Sequence, residues 1–395
     1  MANSLYKTTA NARKILFAFL VFSLLIVVND FYQSLSKTQT DFGLNSQRRF
    51  YMSTKFFDFL DDIPPVPDIP GIPRDTNDSL TYSVEGVFSE FPDISYVYTI
   101  EEPAEKLLTF QNAQNIASEL GFNSENFSES GQSQVVWSKD NGATTLTFDR
   151  VLQTWNMKTD LTNNPRFNPV QKIVQNRLNN LSLTLLSRIR LNGGKGFNNG
   201  LSENIFLKRE ANGDLVEVTD SNQAQLILSN AYRILPLADL KPQSEQPELL
   251  PGEVRPRPVS AKVYTSDPFR GSANFLTKGS EPEDDIYEFS FINWEYGVDV
   301  GAYPIITPQE AWNNVQQGQG SLVFIRQQGD SRIGGRDPLN VRRYVLEADK
   351  TEIAFYEPSE WNGFVTPVYI FRGRAELENG RQASFIFYID ALKRL

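Results

Sequence analysis

The uncharged apolar run Ile15–Val28 constrains this chain most, because such a run is stable only inside a bilayer or a protein core. It is apolar on every face, and Ser23 is its only polar residue, whereas a core helix usually carries one apolar stripe. Lys7, Arg13 and Lys14 precede it. This positive charge predicts a cytoplasmic N-terminus, with the remaining chain outside the cell membrane.

Two interpretations of this run stay open. It is short for a full span and also fits the hydrophobic core of a signal peptide. The residues that follow lack a clear small-x-small cleavage site, and Ser34-Leu35-Ser36 is a weak candidate. Phe31 and Tyr32 suit the membrane interface. We therefore expect a retained single-pass anchor and an extracytoplasmic body.

The absence of two residue types limits the chemistry. The chain of 395 residues contains neither cysteine nor histidine, which excludes disulfides, thiolate metal sites and histidine-based catalysis. An enzyme built from this chain would depend on carboxylates, lysine, tyrosine or serine. The net charge of -10 argues against a nucleic-acid partner, because the phosphate backbone requires a basic surface.

Proline density and composition predict the domain organisation. The proline-rich segment 63–73 has Val66, Ile69 and Ile72 at every third residue, which favours an extended arm along the surface of the body. The predicted divisions are residues 1–32 as tail and anchor, 33–80 as tether, 81–235 as a first α+β domain, 236–258 as a proline-rich linker, and 259–395 as a second α+β domain.

Hydrophobic periodicity predicts the elements of the first domain. Helices are expected over 107–120, ending at Gly121, and over 165–192 and 221–232. Asn141-Gly142 and Asn212-Gly213 are typical of tight hairpin turns. The expected strands beside these turns are 134–138, 144–149, 152–157, 204–209 and 215–218.

The second domain repeats this plan of one helix and an antiparallel meander. Thr307-Pro308-Gln309-Glu310 has the pattern of a capping box and predicts a short helix that buries Ala311, Trp312 and Val315. The expected strands are 260–264, 286–296, 341–347, 351–356, 364–374 and 381–389. The predicted fold class is α+β: an N-terminal transmembrane helix, then antiparallel β-meanders each packed with amphipathic helices.

Three features of the sequence have both a functional and a structural interpretation. Gly193-Gly194-Lys195-Gly196 lacks the spacing of a phosphate-binding loop and is interpreted as a flexible loop. An acidic run could hold Ca²⁺, but Pro282 interrupts it, so a solvated loop is favoured and calcium stays open. Its members are Glu281, Glu283, Asp284, Asp285 and Glu288.

The aromatic residues of the second domain are the third such feature. They indicate either core packing, which is favoured, or a one-sided surface for peptide or carbohydrate. They are Trp294, Tyr296, Tyr303, Trp312, Phe355, Tyr356, Trp361, Phe364, Tyr369 and Phe371. We therefore assign no catalytic, cofactor-binding or metal-binding residue and expect no cofactor.

Several motifs resemble a group of uncharacterised single-pass membrane proteins of candidate-phyla bacteria. They are the anchor, the arm at 63–73, Phe91-Pro92-Asp93, Ala117–Phe122, Tyr303–Thr307 with Glu310-Ala311-Trp312, and Val365–Gly373. The helix that begins at Thr307 and the following meander are also distantly similar to PepSY-type modules of extracytoplasmic regulators of the YycH/YycI kind. This fold-level likeness implies regulation or binding and carries over no site residue.

The sequence therefore predicts a non-catalytic binding or regulatory protein of the cell envelope. Its expected contacts are the membrane, through Ile15–Val28, and another envelope or membrane protein. The alternative is a carboxylate-dependent envelope hydrolase, which would need a cleft with two acidic residues and a raised pKa for one of them.

Overall fold

A computed structural model describes residues 64–73, 80–105, 109–164, 167, 173, 178–191, 194–238, 259–280, 285–333 and 338–394. All of them belong to one compact unit. The predicted span Ile15–Val28 lies outside the described residues. Within these ranges, no helix combines the length and the apolar character needed to cross a bilayer.

The described body is mostly β, with helices packed on its sheets. The helices are α1 (Thr109–Glu119), α2 (Leu181–Arg188) and α3 (Pro308–Gln316). The strands are β1 (Thr81–Glu85), β2 (Ile94–Ile100), β3 (Phe127–Ser130), β4 (Gln134–Lys139), β5 (Thr144–Asp149), β6 (Thr154–Thr159), β7 (Leu201–Arg209), β8 (Leu215–Glu217), β9 (Leu226–Tyr232), β10 (Ile234–Ala238), β11 (Val259–Tyr264), β12 (Ala273–Lys278), β13 (Ile286–Ile292), β14 (Tyr296–Pro304), β15 (Ser321–Gln327), β16 (Val341–Glu347), β17 (Glu352–Tyr356), β18 (Phe364–Leu377) and β19 (Gln382–Asp390).

One sheet is antiparallel throughout and has nine strands, in the order β3-β4-β5-β6-β13-β12-β9-β7-β8. Residues of α1 and α2 pack with this sheet in a large apolar core that contains Trp137, Trp155 and Phe289. A smaller core that contains Leu226, Leu228 and Leu276 also forms from its strands. Since side chains alternate along a strand, β9 contributes to both cores and is buried throughout.

The other sheet has ten strands and is built around the long strand β18. Its main path is β1-β16-β18-β17-β11-β10, and β2, β14, β15 and β19 pair off this path. The β1–β16 and β11–β17 pairs are parallel. Helix α3 covers one face of this sheet, where the fully buried Trp312 ring lies 5.3 Å from that of Phe371.

The chain crosses between the sheets more than once. Strand β9 of the nine-stranded sheet ends at Tyr232, and β10 of the ten-stranded sheet begins at Ile234. Strands β1 and β2 join the ten-stranded sheet, whereas β12 and β13 join the nine-stranded one. The two sheets therefore draw strands from both sides of the predicted linker 236–258.

Local signals predicted several elements correctly. Helix α1 buries Ala113, Ile116 and Ala117 and is followed by Gly121 at a φ of +79°. The capping box of α3 is formed, with both Thr307–Glu310 hydrogen bonds present. The hairpins around 140–142 and 212–213 and the C-terminal meander also form where expected. At the level of an α+β body rich in antiparallel pairs, the predicted fold class agrees with the structure.

Three predicted elements were wrong. Residues 221–232 form a 3₁₀ turn, Ser221–Gln223, and strand β9 instead of a helix. Residues 234–238, partly assigned to the linker, form β10. The helix expected over 165–192 is α2 alone among the described residues, because Asn180 has a left-handed φ of 55° and the helix begins after it. The strands β1, β2, β3, β12, β14 and β15 were not predicted.

Candidate functional site

Four buried tyrosines gather on the face of the ten-stranded sheet opposite α3. This tyrosine cluster consists of Tyr232, Tyr264, Tyr356 and Tyr388, all at most 3% exposed. Tyr264 and Tyr356 are register partners in β11 and β17. The ring centroids of Tyr264 lie 5.5 Å from Tyr232 and 6.2 Å from Tyr388. The cluster thus joins strands that are distant in sequence and brings β9 against the ten-stranded sheet.

Two ion pairs lie beside the tyrosine cluster and form what we name the charged rim. Lys262 Nζ lies 2.5 Å from Glu203 Oε1, and Arg372 Nη2 lies 3.3 Å from Glu352 Oε2. The Tyr264 hydroxyl is within hydrogen-bond distance of the second pair, donating to Glu352 at 3.3 Å or accepting from Arg372 at 3.4 Å. The side chains of the rim are between 24% and 43% exposed. The rim therefore presents both charges to solvent over an aromatic floor.

The electrostatics keep these groups in fixed protonation states. Burial, with a contribution from Glu352, raises the pKa of Tyr264, and burial raises the pKa of Tyr388 well above its usual value. Burial alone would lower the pKa of Lys262, but the hydrogen bond to Glu203 raises it overall. At neutral pH the phenols are therefore protonated and the ammonium is charged. Such groups suit hydrogen-bonded and ionic recognition.

Two polar atoms inside the cluster keep hydrogen-bonding capacity. The Tyr388 hydroxyl and Nη1 of Arg372 are buried, and neither has a hydrogen-bond partner in the described part of the chain. Other buried polar atoms of the described residues share this property, among them Nε1 of the core residue Trp312.

The proline-rich arm, residues 64–73, packs next to the cluster. Ile69 and Ile72 are each 8% exposed, and Ile69 belongs to the apolar core formed by the tyrosines with Phe324. The expectation of an arm on the surface of the body is confirmed for these two residues. Val66, however, is 64% exposed, so the predicted three-residue repeat fails at its first member.

A buried ion pair joins the two sheets. Arg233 lies between β9 and β10, and its Nε is 3.7 Å from Oε1 of Glu357. Both side chains are fully buried. The guanidinium lies 4.5 Å from the ring centroids of both Phe197 and Tyr296, and Tyr296 donates a 2.7 Å hydrogen bond to Glu357. Charge pairing, cation–π contacts and hydrogen bonds reduce the cost of burying these charges, while Nε of Arg233 and Oε2 of Glu357 have no hydrogen-bond partner among the described residues.

The glycine-rich loop has a structural role at this pair. The Lys195 carbonyl accepts a 3.0 Å hydrogen bond from Arg233, and a side chain at Gly196 would place its Cβ 2.9 Å from that of Arg233. Gly196 has a φ of +92°. A phosphate loop directs N–H groups at its ligand, whereas this loop directs a carbonyl at a cation. Gly193 lies outside the described residues.

The acidic run is only partly described, since residues 281–284 lie outside the described ranges. Asp285 forms an ion pair with Lys278 at 3.2 Å, and Glu288 lies 3.8 Å from Arg270. Both of these carboxylates thus face a cation.

The aromatic residues of the predicted second domain pack mainly in the core, as the favoured interpretation held. Trp361 is 39% exposed, and Tyr303 and Phe364 are half-buried. The fully or nearly fully buried members are Trp294, Tyr296, Trp312, Phe355, Tyr356, Tyr369 and Phe371. The broad aromatic surface that the alternative required is therefore not formed by this set.

A polar cleft of about 260 Å³ lies in the nine-stranded sheet, away from the tyrosine cluster. Its lining includes the cations Lys139 and Arg188 and the carboxylates Glu119, Asp140 and Asp285. Lys139 donates to the carbonyl of Leu120 at the end of α1. A carboxyl with a raised pKa lies elsewhere, at Asp390, whose side chain is 11% exposed and forms an ion pair with Arg394. The cleft and the raised pKa that the hydrolase hypothesis combined are therefore at different places.

Sequence analysis did not predict most residues of the candidate site. Only Tyr356 was among the aromatic candidates. The signal present was alternation, because Lys262 and Tyr264, like Glu352 and Tyr356, occupy same-face positions of their strands. Which strands become neighbours is a non-local property that alternation does not report.

Comparisons with known proteins identify no family and no function for this chain. No protein-family model matches the sequence, and no curated protein matches it. Among solved structures, an uncharacterised protein from Eubacterium rectale ATCC 33656 is similar over 86% of this chain and 97% of that chain, with 12% identity and a TM-score of 0.37.

Proposed function

We propose that this chain is a non-catalytic binding or regulatory protein of the cell envelope. It is held in the membrane by Ile15–Val28, with a cytoplasmic N-terminus and an extracytoplasmic body. Its recognition surface is the charged rim, which the buried tyrosine cluster supports from beneath, and its partner is another envelope or membrane protein.

One observation carries this proposal: the rim pairs opposite charges on a tyrosine floor. Glu203 faces Lys262 and Glu352 faces Arg372, each within hydrogen-bond distance. A glycoside hydrolase instead needs one carboxyl held protonated opposite a second, ionised one. Arginine is enriched at protein–protein interfaces, and the exposed charged groups of an interface set partner choice.

Three features of the sequence support the proposed envelope location. The apolar run, the preceding basic residues and the proline-rich segment suit an anchored body held away from the bilayer. The likeness to PepSY-type regulators supports the same role as an analogy between folds.

The partner can be sought by photo-crosslinking in cells of the native host. A photoreactive amino acid would replace Glu203, which is 43% exposed in the rim, or Glu376, which is 44% exposed and lies outside it. We expect a discrete envelope-protein adduct from position 203 and none from position 376. Tyr264→Phe and Arg372→Met should each weaken that adduct, because they remove the hydrogen bonds that set the rim.

Two results would contradict the proposal. One is the same set of adducts, or none, from both positions. The other concerns topology: a tag at the C-terminus should be digested by protease added to spheroplasts, and protection of that tag would place the body in the cytoplasm.

A further inference from the structure

The arm contacts the body as an extended peptide contacts a receptor. Pro64, Pro67, Ile69 and Ile72 are buried, and the residues between them are exposed. Proline fixes φ and removes N–H donors, so this segment is extended before it docks and loses little entropy on docking. The two isoleucines provide the apolar anchors.

The described polar contacts of the arm all use its main chain. The N–H of Ile72 donates to the Leu322 carbonyl at 2.7 Å. The Ile69 carbonyl accepts from Ser321 Oγ at 2.6 Å, and the Asp68 carbonyl accepts from the Tyr356 hydroxyl at 3.3 Å. Arg394 donates to the Pro64 carbonyl. A surface that binds main-chain atoms and two aliphatic side chains accepts any extended segment with the same spacing.

An edge strand forms one wall of the groove that holds the arm. Strand β15 pairs with β19 on one side, and the arm lies on its other side through the Ile72–Leu322 hydrogen bond. Addition of an extended peptide to a sheet edge is a common mode of peptide recognition. The floor includes Tyr356 of the tyrosine cluster, so the groove adjoins the proposed recognition surface.

We infer that this groove is a peptide-binding site whose resident ligand is the chain's own arm. The ligand that exchanges with the arm is an extended segment of a partner protein, with two aliphatic residues three positions apart between prolines. This inference deepens the proposed function and rests on it for the class of partner. The arm, being covalently attached, competes at a high effective concentration, so it acts as a strap that a partner segment must displace.

The absence of native cysteine permits a direct test with an engineered lock. A Cβ built at Gly71 lies 3.1 Å from Cβ of Ser321, so a shift of a few tenths of an ångström brings the two atoms to the separation of about 3.5–4.5 Å found in disulfides. Gly71→Cys with Ser321→Cys should therefore lock the arm under oxidising conditions and release it on reduction. The probe is a fluorescent synthetic peptide with the sequence of residues 64–73, added to the purified full-length chain in nanodiscs.

We expect the peptide to bind the reduced double-cysteine protein at least about tenfold more tightly than the oxidised one, since locking removes the open fraction. Ile69→Ser with Ile72→Ser in the protein should release the arm and strengthen binding relative to the unaltered chain. The same two changes in the peptide should abolish its binding, which provides the control for sequence recognition.

Equal affinity in the oxidised and reduced forms would overturn the inference. So would failure of the peptide to bind the reduced protein and the released variant when circular dichroism shows both to be folded. The result with the disulfide lock does not depend on whether the released variant folds. The peptide is synthetic, so its binding does not depend on the cellular partner. If no crosslinked adduct formed in cells but the peptide still exchanged with the arm, the proposed function would be rejected and the peptide-binding site would be retained.

Discussion

Among the described residues, Arg233 holds its charge in a fully buried position. Its guanidinium and the Glu357 carboxylate are fully buried, and each is the other's ionic partner. Removal of one partner leaves an uncompensated buried charge, so we expect Arg233→Met to lower the free energy of unfolding by about 3–5 kcal/mol. Urea unfolding followed by tryptophan fluorescence would measure this change.

A matched pair provides the control. Arg343 and Glu376 form an ion pair in which both side chains are 44% exposed, so Arg343→Met should cost less than about 1 kcal/mol. A second change, Glu357→Leu, should restore much of the stability lost in Arg233→Met. Equal costs for Arg233→Met and Arg343→Met would show that the buried pair is not the joint described above.

Among the elements, α3 illustrates a pH effect whose sign can be worked out. Hydrogen bonds from the N–H and hydroxyl of Thr307 lower the pKa of Glu310. A carboxyl whose pKa is lower in the folded state stabilises the fold above its unfolded pKa of about 4.3, and this contribution is lost as pH falls through the folded pKa. We therefore expect Glu310→Gln to reduce Tm at pH 7 and to have no effect in strong acid.

The controls for this prediction lie in the same helix. Gln309→Ala changes a neighbouring exposed residue without a titratable group, so its effect on Tm should not depend on pH. Thr307→Ala removes the cap and should cost about 1 kcal/mol at neutral pH. A Glu310→Gln effect that persists unchanged to strong acid would contradict the assigned role of the carboxylate.

The elements also show which parts of the fold local sequence determines. The capping box, the Asn-Gly turns and helix α1 were predictable, because each depends on residues within one or two turns of chain. Strand β9 was not, because Leu226 and Leu228 enter one core while Ile227 and Ala231 enter the other. A strand buried on both faces shows no alternation of apolar and polar residues, and the apolar positions of β9 also fit the spacing of a helix.

The candidate site is harder to predict from the sequence than these elements are. Its tyrosines come from β9, β11, β17 and β19, and only strand pairing brings them together. Side-chain alternation places Lys262 and Tyr264 on one face but does not identify the neighbouring strand. The charges of the rim become interpretable only when the β17–β18 register places Glu352 beside Arg372 and the packing of the two sheets places Glu203 beside Lys262.

At the scale of the whole molecule, the predicted domain division and the observed strand order imply different unfolding behaviour. Units at 81–235 and 259–395 that folded separately would unfold in two transitions. In the structure, however, β12 and β13 complete the nine-stranded sheet while β1 and β2 complete the ten-stranded one. Arg233 and the Lys262–Glu203 pair add contacts between the sheets. Neither predicted unit therefore contains a complete sheet.

We accordingly expect the body to unfold as one cooperative unit. Hydrogen exchange at the buried amides of β5, in the nine-stranded sheet, and of β18, in the ten-stranded sheet, should report the same opening free energy, because both require global unfolding. Arg233→Met should lower both values equally, since the buried pair belongs to neither sheet alone. If Arg233→Met lowered the opening free energy of β5 and left that of β18 unchanged, the two sheets would be independent folding units, and the joint at Arg233 would be a contact between domains.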